Sequence, residues 1–182
     1  MPVTTESIKM LREQTGAGVM DCKRALEDAN GNLEQAVEAL RQKGIATAAK
    51  KSSRDANEGV VETYIHSGSR IGAMVELNCE TDFVARLPEF RELAHNLAMQ
   101  IAAMYPMYIS RDEISEDSDG VEHEGLILLE QPFIKDASNT INDLIVDVIA
   151  TVGENIRVRR FARFALGASE VQVCNPATVE HS

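Results

Sequence analysis

Hydrophobic residues in the first 45 positions recur at the three- and four-residue spacing of helices. A first helix is predicted from a cap at Thr4 or Thr5 to a stop at Gly16. A second helix follows, then a turn at Asn30-Gly31 and a third helix capped by Asn32. The inward positions of the second and third helices are Val19, Cys22, Ala25, Leu26, Ala29, Leu33, Ala36, Val37 and Leu40. Because each helix is too short to be stable alone, residues 1–45 are expected to pack as a three-helix module.

The pattern changes after this module. Residues 46–57 are small and basic with no apolar stripe, which predicts a solvated linker, helical or extended. Two alternating segments around Ser67-Gly68-Ser69 then predict a β-hairpin, with Ile71, Ala73, Val75 and Leu77 on one face. A helix is expected to begin at Pro88, to end before Pro106 and to cover this hairpin.

The last third begins with an acidic stretch, 111–124, whose composition is that of a solvated loop. A calcium loop is disfavoured because the acids lack its alternate spacing and terminal Glu. Thr140 and Asp143 look like the capping pair of a further helix that Gly153 closes. A final strand is predicted from Ile156, with a bulge or a bend where its apolar phase slips.

The predicted fold class is therefore α+β. It comprises a three-helix module at 1–45, a linker at 46–57 and a core at 58–167, in which helices pack on a small antiparallel sheet. Residues 168–182 are expected to form a poorly ordered tail.

Charge and composition narrow the function classes. The 182 residues carry a formal net charge of −11, which argues against direct nucleic-acid binding and favours a protein partner. No signal peptide and no apolar run of membrane-spanning length is apparent, so a cytoplasmic protein is expected. Three widely spaced cysteines fit reduced thiols, with Cys22 and Cys79 as small buried hydrophobes.

Catalytic machinery is hard to find in this sequence. The four histidines show no metal-ligand spacing, and Gly16-Ala17-Gly18 lacks the lysine and hydroxyl of a phosphate loop. The arginines of the last strand are typical of a solvated face or of ion pairs. We therefore expect no enzyme activity, no cofactor and no metal site.

The most informative stretch is 76–86, where Asp82 and Phe83 stand side by side after a strand. They fall in a connection between two elements, and connections carry function more often than cores do. One interpretation is a tip that inserts into a partner. The alternative is that Phe83 folds back and seals the junction between strand and helix.

The run Asn78-Cys79-Glu80-Thr81-Asp82-Phe83-Val84-Ala85 resembles the signature of the elongation factor Ts family. A second run, from Leu11 to Leu26, is similar to the other signature of that family. The resemblance implies a guanine-nucleotide exchange factor that promotes GDP release from elongation factor Tu. It also implies a ubiquitin-associated-like fold for the first module and a short-form member with a single merged core.

The resemblance further implies which residues contact the partner. Phe83 would enter a pocket between helices of the GTPase domain, and Asp82 would act near its magnesium ion, with Thr81 and Val84 beside them. From the first signature, Val19, Met20 and Lys23 would make a separate contact. For Val19 and Met20, packing between helices is an equally open interpretation.

A homodimer is also expected, because long-form members use two core halves and this chain has one. The edges of the predicted sheet, 59–66 or 156–166, would pair across a two-fold axis. A disulfide through Cys174 under oxidation is conceivable but is not expected to be required. The competing function is a ubiquitin-associated-like adaptor that binds a partner without exchange activity.

Overall fold

The computed structural model describes residues 3–114 and 125–175. It divides into two compact units, which we describe separately. The head unit comprises Met1–Arg54 and Val146–Asn155, and the core unit comprises Asp55–Ile145 and Ile156–Ser182. No helix among the described residues has the length and apolar character needed to cross a membrane. Most of the predicted acidic loop, 115–124, lies outside the described residues.

The head unit begins with three helices, as predicted. They are α1 (Thr5–Thr15), α2 (Val19–Asp28) and α3 (Leu33–Lys51). Thr4 caps α1, and Gly16 ends it in the left-handed region with φ 66°. Asn32 caps α3, because its side chain accepts a hydrogen bond from the Gln35 amide at 3.0 Å. The shared core of the three helices consists of Leu11, Cys22, Ala25, Leu26, Ala29 and Ala36.

Two features of the head unit add to the sequence-based prediction of a helical or extended linker. Helix α3 continues to Lys51 and so takes up half of the expected linker, in keeping with its alanine-rich sequence. Residues 146–155, distant in sequence, also belong to this unit. At Gly44, a Cβ would lie 3.3 Å from Val146 Cγ1, and the Asn155 side-chain amide donates to the Arg54 carbonyl at 2.8 Å. In the second half of α3 only Gly44 is buried, whereas Ile45, Ala46, Ala49 and Lys50 are exposed, so this part of the helix is largely solvated, as predicted.

The core unit contains an antiparallel four-stranded sheet with the order β1-β2-β5-β6. Its strands are β1 (Glu58–Ile65), β2 (Ile71–Cys79), β5 (Arg157–Ala165) and β6 (Gln172–Cys174). The predicted hairpin is confirmed as β1-β2. Of the predicted bulge or bend, the structure shows a bulge, since the β2–β5 register shifts between Glu76 and Leu77. This shift leaves Arg159 as the extra residue of β5.

Helices cover one face of this sheet. A one-turn helix α4 (Asp82–Ala85) follows β2, and α5 (Pro88–Met104) then packs on β1 and β2. Both the predicted start at Pro88 and the end before Pro106 are confirmed. The buried side chains between α5 and the sheet include Ala73, Val75, Leu77, Phe90, Leu93, Leu97 and Ile101.

A short hairpin, β3 (Pro132–Phe133) and β4 (Asp136–Thr140), precedes α6 (Ile141–Val152). The predicted capping pair of α6 is confirmed: the Asp143 carboxylate accepts from the Thr140 amide at 2.9 Å, and the Thr140 hydroxyl accepts from the Asp143 amide at 3.2 Å. Gly153 follows α6 with φ 78°.

The end of the chain needs two corrections. Residues 168–182 were expected to be a poorly ordered tail, but Gln172–Cys174 form β6 and pair with β5. Three residues are too few to show a strand period, which is why the sequence did not predict them. β6 pairs with residues 161–163 of β5, so that part of the segment 156–166 is not a free sheet edge, whereas β1 is an edge strand as predicted.

Candidate partner-binding site

The Asp-Phe pair lies on α4, which turns the chain from β2 into α5. Thr81 caps this helix, since its hydroxyl accepts from the Val84 amide at 3.4 Å. The Thr81 carbonyl accepts from the Ala85 amide at 3.3 Å, and the Phe83 carbonyl accepts from the Arg86 amide at 3.2 Å. The connection is therefore a hydrogen-bonded turn of helix and not an irregular loop.

One side of α4 is anchored in the core unit. Val84 and Ala85 are buried, and α4 contacts β1, β2 and α5. Below the turn, the fully buried Cys79 thiol donates to the Thr81 carbonyl at 3.1 Å. These contacts fix the backbone from which the next two side chains project.

The other side of α4 carries Phe83, which is 70% exposed. Of the five phenylalanines in the chain, Phe90, Phe133 and Phe161 are buried, and Phe164 shares the exposure of Phe83. The interpretation that Phe83 seals the junction is therefore wrong. Asp82 is also exposed, and its carboxylate forms an ion pair with Arg86 at 2.6 Å. We refer to Asp82 and Phe83 on α4 as the tip.

Val84 needs a correction. The family signature placed it among the partner contacts, but its side chain is only 3% exposed. A buried side chain cannot reach a partner unless α4 leaves the sheet. Consecutive side chains of a helix point about 100° apart, so Phe83 can face solvent while Val84 faces the core unit. Val84 is an anchor of the tip, and Thr81 is its cap.

The first signature lies in the head unit, at the start of α2. Val19 and Met20 are 51% and 65% exposed, so packing between helices does not account for them. Lys23 is on the same helix and pairs with Glu27 at 3.8 Å. Asp21, between them, pairs with Lys43 of α3 at 2.6 Å, which ties the start of α2 to α3. We call Val19, Met20 and Lys23 the head surface.

The three cysteines are buried thiols that form no disulfide. This agrees with the prediction for Cys22 and Cys79, but Cys174 was expected in an open tail. Its thiol lies 3.2 Å from a Glu113 carboxylate oxygen. Burial, together with the bond and charge of Glu113, raises the pKa of Cys174 to about 12. A thiol held in its neutral form is a poor nucleophile, so disulfide exchange through Cys174 is disfavoured.

The described residues contain no group of three or more His, Cys, Asp or Glu side chains that could hold a metal ion. The calcium-loop alternative concerned 111–124, and its residues 115–124 lie outside the described part of the chain.

Sequence reasoning missed an apolar surface on the face of the sheet opposite α5. Its exposed members are Val61, Ile65, Met74, Phe164, Leu166 and Val173. Four of them line an open groove of about 460 Å³ near the β1-β2 turn, in which Ile65 lies over Gly72. We call these six residues the outer sheet face. The sequence does indicate this face, because in β1 and β5 apolar residues occur at both even- and odd-numbered positions, so that both faces of these strands carry apolar side chains.

An exposed apolar side chain on a firmly anchored turn is typical of proteins that act by docking onto another protein. The comparisons with known proteins are specific. The family model for elongation factor TS matches residues 9–131, which include both signatures.

Relatives that match more than nine-tenths of the chain indicate the same family. The elongation factor Ts of Carboxydothermus hydrogenoformans is 50% identical over 91% of this chain and 89% of its own length. Those of Moorella thermoacetica and Thermotoga neapolitana are each 47% identical, over 93% and 92% of this chain and 98% of their own lengths. The chain therefore belongs to the elongation factor Ts family. Family membership gives it a role as a translation elongation factor.

Proposed function

We propose that this protein accelerates GDP release from elongation factor Tu by inserting the tip, Asp82 and Phe83, beside the magnesium and nucleotide site of the GTPase domain. In this proposal the protein acts in the cytoplasm. The observation that carries it is the exposure of Phe83 on a turn whose opposite side is buried. Such an arrangement presents an apolar ring without unfolding any part of the core.

The physical basis is linkage. A partner that binds better to the empty GTPase lowers nucleotide affinity by the same factor by which nucleotide lowers the partner's affinity. Burial of a phenylalanine contributes roughly 1.5–3 kcal/mol, and about 1.4 kcal/mol corresponds to a tenfold change. Insertion of Phe83 with a few flanking contacts therefore supplies a coupling of about two orders of magnitude. No covalent chemistry is needed.

The direct experiment follows the release of labelled GDP from elongation factor Tu. Wild-type protein is expected to accelerate release, and the double variant Asp82→Ala/Phe83→Ala to lose most of that acceleration. Both side chains are exposed, so the thermal unfolding midpoint should remain near that of wild type. A double variant that released GDP at the wild-type rate would remove the tip from the mechanism.

The head surface supplies a separate contact on the same partner in this proposal. Met20 is an unbranched, adaptable side chain, and both it and Val19 are exposed without a packing role. Lys23 adds a positive charge in a chain of net charge −11. A contact of this kind raises the affinity for the partner but does not itself disturb the nucleotide site.

We also propose that the working unit is a homodimer, which would provide the second core that reaches a more distant domain of elongation factor Tu. The structure suggests a different surface from the strand edges that the sequence favoured. The outer sheet face is apolar and exposed, and a two-fold axis would lay it against itself. Because each copy carries a net charge of −11, added salt should strengthen this association.

Light scattering at micromolar concentration tests the dimer. Phe164→Ala, on the outer sheet face, should shift the protein towards monomer, whereas the chemically matched Phe83→Ala should not. Reduction and Cys174→Ser should leave the dimer in place, because the Cys174 thiol is buried. A preparation that was wholly monomeric and fully active in exchange would defeat the dimer proposal while leaving the tip proposal intact.

A further inference from the structure

Arg86 lies at the end of α4 and contacts both residues of the tip. Its guanidinium Nη2 is 2.6 Å from the Asp82 carboxylate oxygen Oδ2. Its backbone amide donates to the Phe83 carbonyl at 3.2 Å. The sequence-based assignment of partner contacts did not include Arg86, although it ends the same eleven-residue stretch.

Stability does not account for this ion pair. The Arg86 side chain is 77% exposed and the Asp82 side chain 65% exposed. Ion pairs this accessible contribute little to folding, because water screens them and two side chains lose freedom. The pair does, however, favour one orientation of the Asp82 side chain before any partner is met, and it brings a positive charge next to the tip.

The charge of Arg86 matters when the tip docks onto its partner. The proposed target of the tip is a site that holds a nucleoside diphosphate, whose phosphates repel an approaching carboxylate. The rest of this chain is also strongly negative, with a net charge of −11. A guanidinium 2.6 Å from the carboxylate makes the tip nearly neutral as a whole, which lowers both the repulsion and the cost of removing water from Asp82.

We propose that Arg86 is a positioning residue of the exchange reaction: it orients Asp82 and compensates its charge while the tip docks beside the anionic nucleotide. This inference rests on the proposed function and deepens it. It predicts that Arg86 acts through Asp82 and that it raises the rate at which the two proteins dock. The plateau rate of nucleotide release, reached once the complex has formed, should depend on Arg86 much less.

The test is a double-mutant cycle on GDP release from elongation factor Tu, with wild type, Arg86→Ala, Asp82→Asn and the double variant. Stopped-flow traces at increasing protein concentration separate the initial slope, which reports docking, from the plateau rate. Arg91→Ala is the matched control, because Arg91 is an exposed arginine on the neighbouring α5 and its loss changes the net charge equally.

Arg86→Ala should lower the initial slope about three- to tenfold, with the larger effect at low ionic strength. The plateau should change little, and Arg86→Lys should recover part of the slope. In the Asp82→Asn background, Arg86→Ala should have almost no effect. Arg91→Ala should reproduce only the small general effect of losing one positive charge.

Three results would overturn the role of Arg86 while wild-type exchange remains intact. An equal loss in both backgrounds would make Arg86 an independent contact, and no loss at all would make the ion pair incidental. A faster reaction after Arg86→Ala would show that the pair restrains Asp82 instead of preparing it. A wild-type protein without any effect on GDP release would instead contradict the proposed function, and the role of Arg86 with it.

Discussion

The tip and the head surface each combine exposed apolar side chains with one charged residue, but they are supported differently. Phe83 projects from a single helical turn that is capped by Thr81 and anchored by the buried Val84. Met20 lies on the first turn of a ten-residue helix. The residue before this helix is Gly18, which has no side chain with which to cap it. At the tip, the exposed ring is held by a cap and a buried neighbour on the same short helix, whereas the head surface is one face of a regular helix. This difference predicts that the tip disturbs a partner and that the head surface only holds it.

The largest effect is expected from Phe83→Ala. Loss of the ring should lower the rate of GDP release by about 10- to 100-fold, because the forfeited burial is that of a whole phenylalanine. Asp82→Ala should cost less, since its carboxylate buries a smaller area. Labelled-GDP release measures both. If Asp82→Ala proved the more damaging variant, charge and not apolar insertion would dominate at the tip.

Val84→Ala should produce the next largest effect, and mainly on stability. Truncation of a buried side chain leaves a cavity, so the free energy of unfolding should fall by about 2 kcal/mol. Exchange should decrease less than with Phe83→Ala, as the support of α4 loosens. Chemical denaturation measures the first quantity and GDP release the second. A large loss of exchange with unchanged stability would restore Val84 to the list of direct contacts.

Met20→Ala should raise the protein concentration needed for half-maximal exchange by about three- to tenfold and leave the plateau rate intact. Stability should hardly change, because the side chain is exposed. Met10→Ala is the matched control, since Met10 is an exposed methionine on α1 of the same unit. A lower plateau rate for Met20→Ala would mean that the head surface also disturbs the nucleotide site.

Cys174→Ala should have the smallest effect on GDP release, because Cys174 belongs neither to the tip nor to the head surface. Its effect is expected on the pH dependence of stability. Its pKa of about 12 in the folded state exceeds the ordinary value of 9.0, so above pH 9 the unfolded chain holds fewer protons than the folded one. The stabilisation is complete below pH 9 and is lost as the pH rises towards 12. The difference in unfolding free energy between wild type and Cys174→Ala should therefore shrink in that window, by at most about 1.4 kcal/mol per pH unit. A difference that stayed constant across this range would contradict the raised pKa.

Local signals in the sequence predicted most of the elements. The proline at the start of α5, the Thr140–Asp143 capping pair and the slipped phase of β5 each act over a few residues, and the structure confirms all three. These signals depend on backbone geometry that neighbouring residues determine. Periodicity likewise identified the inward faces of β2 and α5.

The features that the sequence missed depend on distant partners or on very short elements. The contact of Gly44 with Val146 joins positions about a hundred residues apart, and no local pattern marks it. Strand β6 has three residues and becomes a strand only because β5 offers an edge. At the tip, the sequence left open whether Phe83 is exposed or folded back and did not predict the burial of Val84, because one helical turn is too short to show a period.

The central claim is that the tip couples to the nucleotide, and a binding cycle tests it most directly. The affinity of this protein for elongation factor Tu should be measured with the GTPase empty and with GDP bound, for wild type and for Phe83→Ala. We expect wild type to bind the empty form more tightly by about two orders of magnitude, and Phe83→Ala to remove most of that preference. Equal affinity of the wild-type protein for the empty and the GDP-bound forms would contradict the account.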